Sequence, residues 1–167
     1  INLFEKSDNK TIGKTRKGID KTIKDSLDLG INSNEIDNNK IFQSYFDEIV
    51  KCLNLYKDKY KFCNENVENW GLEEKFNIQR YKPNQAFHHW HSETSGISSG
   101  KRHLVFMTYL NDVKKGGETE WYYQKLKVKP EKGLTFIWSA DWTFTHKGYT
   151  TINEDKYIIT GWYDFKK

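Results

Sequence analysis

Phe87-His88-His89-Trp90-His91-Ser92-Glu93 is the stretch on which the reading of this chain turns. His91 and Glu93 stand two positions apart, and in an extended strand residues i and i+2 project from the same face. Their Cα atoms then lie about 6–7 Å apart, so one strand can aim an imidazole and a carboxylate at a single metal ion. His89 shares that face, and His88 points the other way. On its own the cluster also suits the polar end of an exposed strand, so its meaning depends on what surrounds it.

Working outward, residues 76–81 alternate apolar and polar and read as a strand. Further strand-like runs cover residues 86–93, 102–111, 118–123, 126–128, 134–138, 143–146 and 156–165. Turn residues separate them at Pro83-Asn84, 95–100, Lys115-Gly116-Gly117 and Glu131-Lys132-Gly133. The Gly-Gly pair between two such runs predicts a hairpin. Ahead of the strands, residues 32–39 are rich in Asn, Asp and Ser and mark a helix start. Ile41, Phe42, Tyr45, Phe46, Ile49, Val50, Leu53 and Leu55/Tyr56 then recur at helical spacing, predicting a long amphipathic helix packed on a sheet. Residues 1–37 are Lys-, Asp- and Asn-rich, with six basic residues between 10 and 24, and read as a solvated loop or hairpin. About eight short strands behind supporting helices give an α+β, mainly β chain, and composition alone reaches no further than a β-rich barrel or sandwich.

A length of 167 residues bounds the chain to one domain with a sizeable core. It divides into an N-terminal loop and supporting helices (1–72) and a β core (73–167). The net charge of +4 is modest, and neither nucleic-acid nor membrane binding follows from it. Cys52 and Cys63 form no metal or redox spacing, and Cys52 reads as a buried thiol on the helix. No stretch approaches the roughly 20 apolar residues of a membrane span, and no secretory segment is visible. A cytoplasmic, reducing compartment is the expectation, although a chain that opens on Ile1 leaves a preceding segment open.

His146 is the next candidate ligand, and Lys156 follows ten residues later. Two His and one carboxylate with open positions form the facial triad of non-haem Fe(II) oxygenases. His89, His91 and His146 would instead resemble a three-His zinc centre, at the cost of leaving Glu93 and Lys156 without a role. In the last strand Lys156, Ile158, Thr160 and Trp162 share one face, and Tyr157, Ile159, Gly161 and Tyr163 the other. Both faces are mostly apolar, so both are expected to be covered. A Lys there needs an anionic partner, whether a structural carboxylate or a ligand's.

From Tyr81 onward the chain resembles the prolyl 4-hydroxylase-like branch of the 2-oxoglutarate- and Fe(II)-dependent dioxygenases. Tyr81, His91-Ser92-Glu93, Arg102, residues 108–113, Gly116-Gly117-Glu118-Thr119, residues 128–133, His146-Lys147-Gly148 and Lys156-Tyr157 carry the likeness, in family order and spacing. The resemblance implies a double-stranded β-helix, the jelly-roll or cupin-like architecture. It implies Fe(II) held by His91, Glu93 and His146, and 2-oxoglutarate as co-substrate with its distal carboxylate on Lys156. Tyr81, Tyr109, Thr119 and Thr160 would line that pocket with Met107 as an apolar wall. Trp162 would stand near the active site, and Arg102 with Trp162 would meet substrate. O2 would be consumed, ascorbate is an associated cofactor, and 2-oxoglutarate would leave as succinate and CO2 while a substrate C–H bond is hydroxylated.

A peptidyl proline is the substrate the resemblance implies. Another side chain, a free amino acid or a nucleobase is the alternative, as is a non-catalytic cupin-like module. Nucleobase dioxygenases rely on Arg where Lys156 stands, which argues against nucleic acid. Members of this branch usually carry His-x-Asp, whereas the carboxylate here is Glu93, one methylene longer. Because a carboxylate is retained, halogenating variants are disfavoured.

Overall fold

The computed structural model describes residues 1–166, and its framework is a seven-stranded antiparallel sheet facing a smaller three-stranded one. After a short helix α1 (Asn2–Lys6) come β1 (Thr11–Ile12) and β2 (Leu27–Ile31), then the long helix α2 (Lys40–Lys59) and β3 (Trp70–Gly71). The remaining strands are β4 (Phe76–Tyr81), β5 (Arg102–Tyr109), β6 (Thr119–Trp121), β7 (Leu126–Val128), β8 (Thr135–Ser139), β9 (His146–Gly148) and β10 (Lys156–Phe165). The large sheet runs β1-β2-β4-β10-β5-β8, with β3 also paired to β10, and the small sheet runs β7-β6-β9. This is the expected jelly-roll.

Helix α2 forms where the apolar spacing demands it. The Asn39 side chain accepts from the Ile41 N–H at 3.0 Å and caps the first turn. Phe42, Phe46, Ile49 and Leu53, spaced four, three and four apart, form the buried stripe. Each contributes about 1.5–3 kcal/mol by leaving water. The Phe46 ring stands edge-on to Phe76 and Phe106, with centroids 5.0 and 5.7 Å away, and locks the helix to the outer face of the large sheet. Ile41, Val50 and Leu55 fit the same period loosely but are exposed, and Cys52 is only half-buried. A second core, between the sheets, holds Tyr81, Val105, Met107, Tyr109, Trp121, Trp138 and Ile158. Strand β10 separates the two cores: Ile158 and Trp162 enter the inner one, Ile159 and Tyr163 the outer one, so both faces are covered.

Two expectations need correction and a third is sharpened. Of the solvated loop or hairpin expected over residues 1–37, the structure has the hairpin, β1 pairing with β2, but it is no solvated appendage: β2 pairs in turn with β4 from Leu27↔Arg80 to Ile31↔Phe76, and Phe4, Leu29 and Ile31 are core residues. Charged flanks hid a strand whose apolar positions 27, 29 and 31 do alternate. The Gly116-Gly117 pair closes no hairpin, because β5 and β6 lie in different sheets. The chain crosses between sheets there, with both glycines at φ +77 and Gly116 bridging Thr151. A Cβ on Gly116 would collide with the Thr150 carbonyl. Residues 86–93 form no continuous strand either; only isolated bridges hold them, Lys24↔Phe87 and His91↔His146.

Candidate metal centre and co-substrate pocket

The isolated bridge His91↔His146 sets the two histidines side by side at the β9 edge of the small sheet: His91 N–H donates to the His146 carbonyl at 2.9 Å, and His146 N–H returns the bond at 2.8 Å. Each ring is then oriented by its own backbone. Nδ1 of His91 lies 2.9 Å from the His89 carbonyl, and Nδ1 of His146 lies 2.8 Å from the Phe144 carbonyl. A carbonyl only accepts, so both Nδ1 atoms carry the proton and both Nε2 atoms present a lone pair. The Phe87 ring stacks on His91, and Trp138 meets His146 edge-on.

Between those two nitrogens sits Glu93. Its Oε1 is 3.8 Å from His91 Nε2 and 3.5 Å from His146 Nε2. His91, Glu93 and His146 are the one group of three such donors among the described residues, with ligand atoms all within 4.8 Å of one another. First-row ions take imidazole and carboxylate donors at roughly 2.0–2.2 Å, so a small adjustment of the side chains lets the three meet on one ion. His89 lies outside the group and is exposed, which removes the three-His zinc alternative.

The other carboxylate oxygen is held from behind. Trp162 Nε1–H donates to Glu93 Oε2 at 2.9 Å, and Arg102 Nη1 approaches the same oxygen at 3.4 Å and the Glu93 carbonyl at 3.2 Å. The guanidinium lies over the Trp162 ring at 3.8 Å and reaches Glu74 with its other nitrogen. Trp162 and Arg102 therefore fix where the longer glutamate puts Oε1. Burial would raise the Glu93 pKa, but the two imidazoles and Arg102 outweigh it and hold the carboxyl down at about 2. Burial, followed by the neighbouring His146, pushes His91 down to about 3, so it stays neutral and ready to ligate.

Lys156 lies deep beside this centre, with 3% of its surface exposed. Its ammonium donates to the Gly117 carbonyl at 3.0 Å, and no carboxylate lies within 4.0 Å of it among the described residues. The ammonium lies beside Gly148, where a Cβ would stand 3.6 Å from it in ordinary contact. Gly148 is two positions along β9 from His146 on the same face, which sets Lys156 about 6–7 Å down the strand from the metal ligands. Desolvation lowers its pKa to about 8. A buried cation without an anion is an expensive arrangement, and it fits a pocket built for an anionic ligand.

The expected pocket residues divide into two layers. Tyr81, Met107, Thr119, Thr160 and Trp162 face the same cleft as Lys156. Tyr109 does not: it is fully buried one layer behind, its hydroxyl donating to Thr119 Oγ1 at 2.6 Å. That bond leaves the Thr119 hydrogen free to point into the cleft. Thr160 spends its own hydrogen on the Phe106 carbonyl at 3.0 Å, and Tyr81 donates to Gln79 Oε1 at 2.7 Å. Behind Tyr81 lies a network absent from the sequence reading: Lys24 Nζ to Asp28 Oδ2 at 2.6 Å, Ser26 to Asp28 Oδ1 at 2.7 Å, and Gln79 to Asp28 at 3.4 Å. The signal was the polar alternate set of two strands, Ser26 and Asp28 in one and Gln79 in the other, each interleaved with core residues.

Residues 76–164 match the family model of the 2OG-Fe(II) oxygenase superfamily, just over half of the chain. The chain belongs to that superfamily. Within it the chain is prolyl hydroxylase-like: it is 30% identical to prolyl 4-hydroxylase 13 of Arabidopsis thaliana, over 53% of this chain and 42% of that protein. A probable prolyl 4-hydroxylase 9 from the same plant is 29% identical, with 53% and 40% covered, so the chain spans about two fifths of the length of these relatives. Among solved structures, the viral collagen prolyl hydroxylase of Paramecium bursaria Chlorella virus-1, in its 2OG complex, superposes with a TM-score of 0.65 at 23% identity, covering 85% of this chain and 80% of that one. The Trichoplax adhaerens prolyl hydroxylase, in complex with a hypoxia inducible factor oxygen degradation domain peptide, gives a TM-score of 0.72 at 16% identity, with 98% and 74% covered. These likenesses establish the jelly-roll fold. Family membership implies Fe(II) and 2-oxoglutarate, which the donor set and the partnerless Lys156 suit. Among the described residues no helix is long and apolar enough to cross a membrane.

Proposed function

We propose that the chain is a single dioxygenase domain that hydroxylates a peptidyl proline, with His91, Glu93 and His146 holding Fe(II) and Lys156 holding the distal carboxylate of 2-oxoglutarate. The observation that carries this reading is the pairing of the three-donor group with a buried ammonium that no protein carboxylate meets. When bound, Fe(II) with 2-oxoglutarate and O2 supplies the oxidising power, yielding succinate, CO2 and one oxygen atom for a substrate C–H bond. The remaining work belongs to the chain. Lys156 gives a point charge and the Thr119 hydroxyl a directed donor, so the co-substrate carboxylate exchanges water for fixed partners. The backbone-oriented imidazoles and the Trp162–Glu93 hydrogen bond keep three donors aimed at one point before any ion arrives. Met107, Ile158 and Trp138 exclude water from the pocket wall.

Proline as target rests on the likeness to the plant and viral enzymes, and a peptide as substrate on the Trichoplax complex. Incubation with Fe(II), 2-oxoglutarate, O2, ascorbate and proline-containing peptides tests it. Succinate should form together with a peptide heavier by one oxygen, and His91→Ala, Glu93→Ala and His146→Ala should each abolish both. Oxygen insertion into free amino acids but into no peptide would sink the prolyl assignment.

A further inference from the structure

The N-terminal hairpin forms a finger over the cleft. Its base is the β1–β2 pairing, Thr11↔Asp28 and Ile12↔Leu27, extended by Gly13 N–H to the Ser26 carbonyl at 2.9 Å. Its tip is a tight turn in which Thr15 and Gly18 exchange both backbone hydrogen bonds, at 2.9 and 3.0 Å, lifting Arg16 and Lys17 to the apex. Arg16 extends to Gly96 in the loop that follows Glu93, and its guanidinium takes the space that a side chain at 96 would occupy. The finger thus touches both the sheet that bears Lys156 and the loop that leaves the metal centre.

Charge on this cleft is lopsided. Lys14, Arg16 and Lys17 line it and are exposed, and none has a carboxylate within 4.0 Å among the described residues. The acidic residues of the lining are all engaged: Asp28 with Lys24, Glu35 in the Asn32 capping box, and Glu93 at the metal centre. A chain segment lying under the finger meets four exposed cations without a carboxylate partner, Lys75 being the fourth, against the single exposed carboxylate of Glu35, whose partners are the Asn32 amides. Three of these cations cluster on one turn and the fourth stands apart beside Gly30, so they do not run along the molecule as a stripe and suit a short run of carboxylates better than a continuous phosphate backbone.

We propose that the peptide substrate carries acidic residues beside its target, captured by Lys14, Arg16 and Lys17. This deepens the hydroxylase reading and rests on it. Three matched peptides with one central proline, flanked by Asp/Glu, by Gly/Ser or by Lys, should be titrated by fluorescence anisotropy against the chain and against an R16E/K17E variant. The acidic peptide should bind the chain about tenfold more tightly than the neutral one at low salt, a gap that closes as ionic strength rises. In the variant the order should invert, with the acidic peptide weakest. Should the double variant misfold, the salt series on the unaltered chain still decides. Equal affinities, an order that survives the charge reversal, or tighter binding of a single-stranded oligonucleotide would overturn the proposal. Mass spectrometry on the same peptides separates the two claims. Oxygen insertion without charge preference overturns the acidic-substrate inference alone; charge preference without oxygen insertion overturns the hydroxylase reading, and with it the peptide's role as substrate.

Discussion

Replacing Lys156 with Met should make the protein more stable and nearly blind to 2-oxoglutarate. The side chain is buried, and its pKa falls from 10.5 to about 8, so burying the ammonium costs roughly 3 kcal/mol in the absence of ligand. Methionine fills similar space without that cost but leaves the Gly117 carbonyl without its donor, a loss of about 1–2 kcal/mol. The net gain of about 1–2 kcal/mol corresponds to a melting temperature higher by roughly 2–8 °C in a chain of this size. Losing one member of a buried charge pair costs about 2–5 kcal/mol, so 2-oxoglutarate affinity should fall by at least thirtyfold. The pH dependence has a definite sign. Because the folded pKa lies below the unfolded one, the unfolded chain binds more protons between pH 8 and 10.5, and stability of the unaltered protein rises with pH across that window. Affinity for 2-oxoglutarate should move the other way, falling as pH passes 8 and the ammonium discharges. Thermal melts and calorimetric titration from pH 7 to 10 measure both. A Met variant that melts lower, or that keeps the affinity of the parent, refutes the reasoning.

Trp162→Phe keeps an aromatic ring under Arg102 and deletes only the hydrogen bond to Glu93; metal affinity should fall about 10- to 100-fold with little loss of stability, as read by Co(II) absorption titration. Lys24→Met strands Asp28 in a buried site and should cost about 3–5 kcal/mol in urea denaturation, with Lys24→Met/Asp28→Asn recovering part of it. Gly116→Ala forces a Cβ into the Thr150 carbonyl at φ +77 and should lower stability by more than about 2 kcal/mol, whereas Gly133→Ala, with open space around it, should cost clearly less. His91 and Glu93 both titrate below their ordinary values, so metal-free protein should lose stability as pH falls from 6.5 toward 3, and His91→Phe should flatten that decline in a urea-midpoint series.

What the sequence disclosed was chiefly what local pattern encodes. The period-3.6 stripe of Phe42, Phe46, Ile49 and Leu53 located the helix, and period-2 alternation located β4 and β10 and put Lys156 beside Thr160 on the interior face. The three donors that the structure brings together were legible from the two-residue spacing of His91 and Glu93 and from the family order of His146. Long-range pairing left no such trace. That Leu27-Asp28-Leu29-Gly30-Ile31 joins β4 depends on a partner some fifty residues away, and basic and acidic neighbours masked its alternation. The Gly-Gly pair could not distinguish a hairpin from a crossing between sheets, since both need positive φ. Trp162 and Arg102 were expected beside substrate; both line the cleft, and their contacts with Glu93 were not legible because they depend on long-range pairing of β5 with β10.

The hydrogen bonds at the root of the finger carry a kinetic consequence. Asp25 N–H binds the Ala86 carbonyl, His88 N–H binds the Ile23 carbonyl, and Lys24 bridges Phe87, whose ring lies flat on His91. The finger is therefore stitched to the strip of backbone that delivers a metal ligand, and swinging it away as one rigid flap would tear those stitches and tilt the imidazole. Breathing is cheap only beyond the stitching, in the turn from Thr15 to Gly18. Amide exchange should accordingly be graded along this short stretch, rapid at the apex and slow by residue 25, a fingertip that bends on a hand that stays closed.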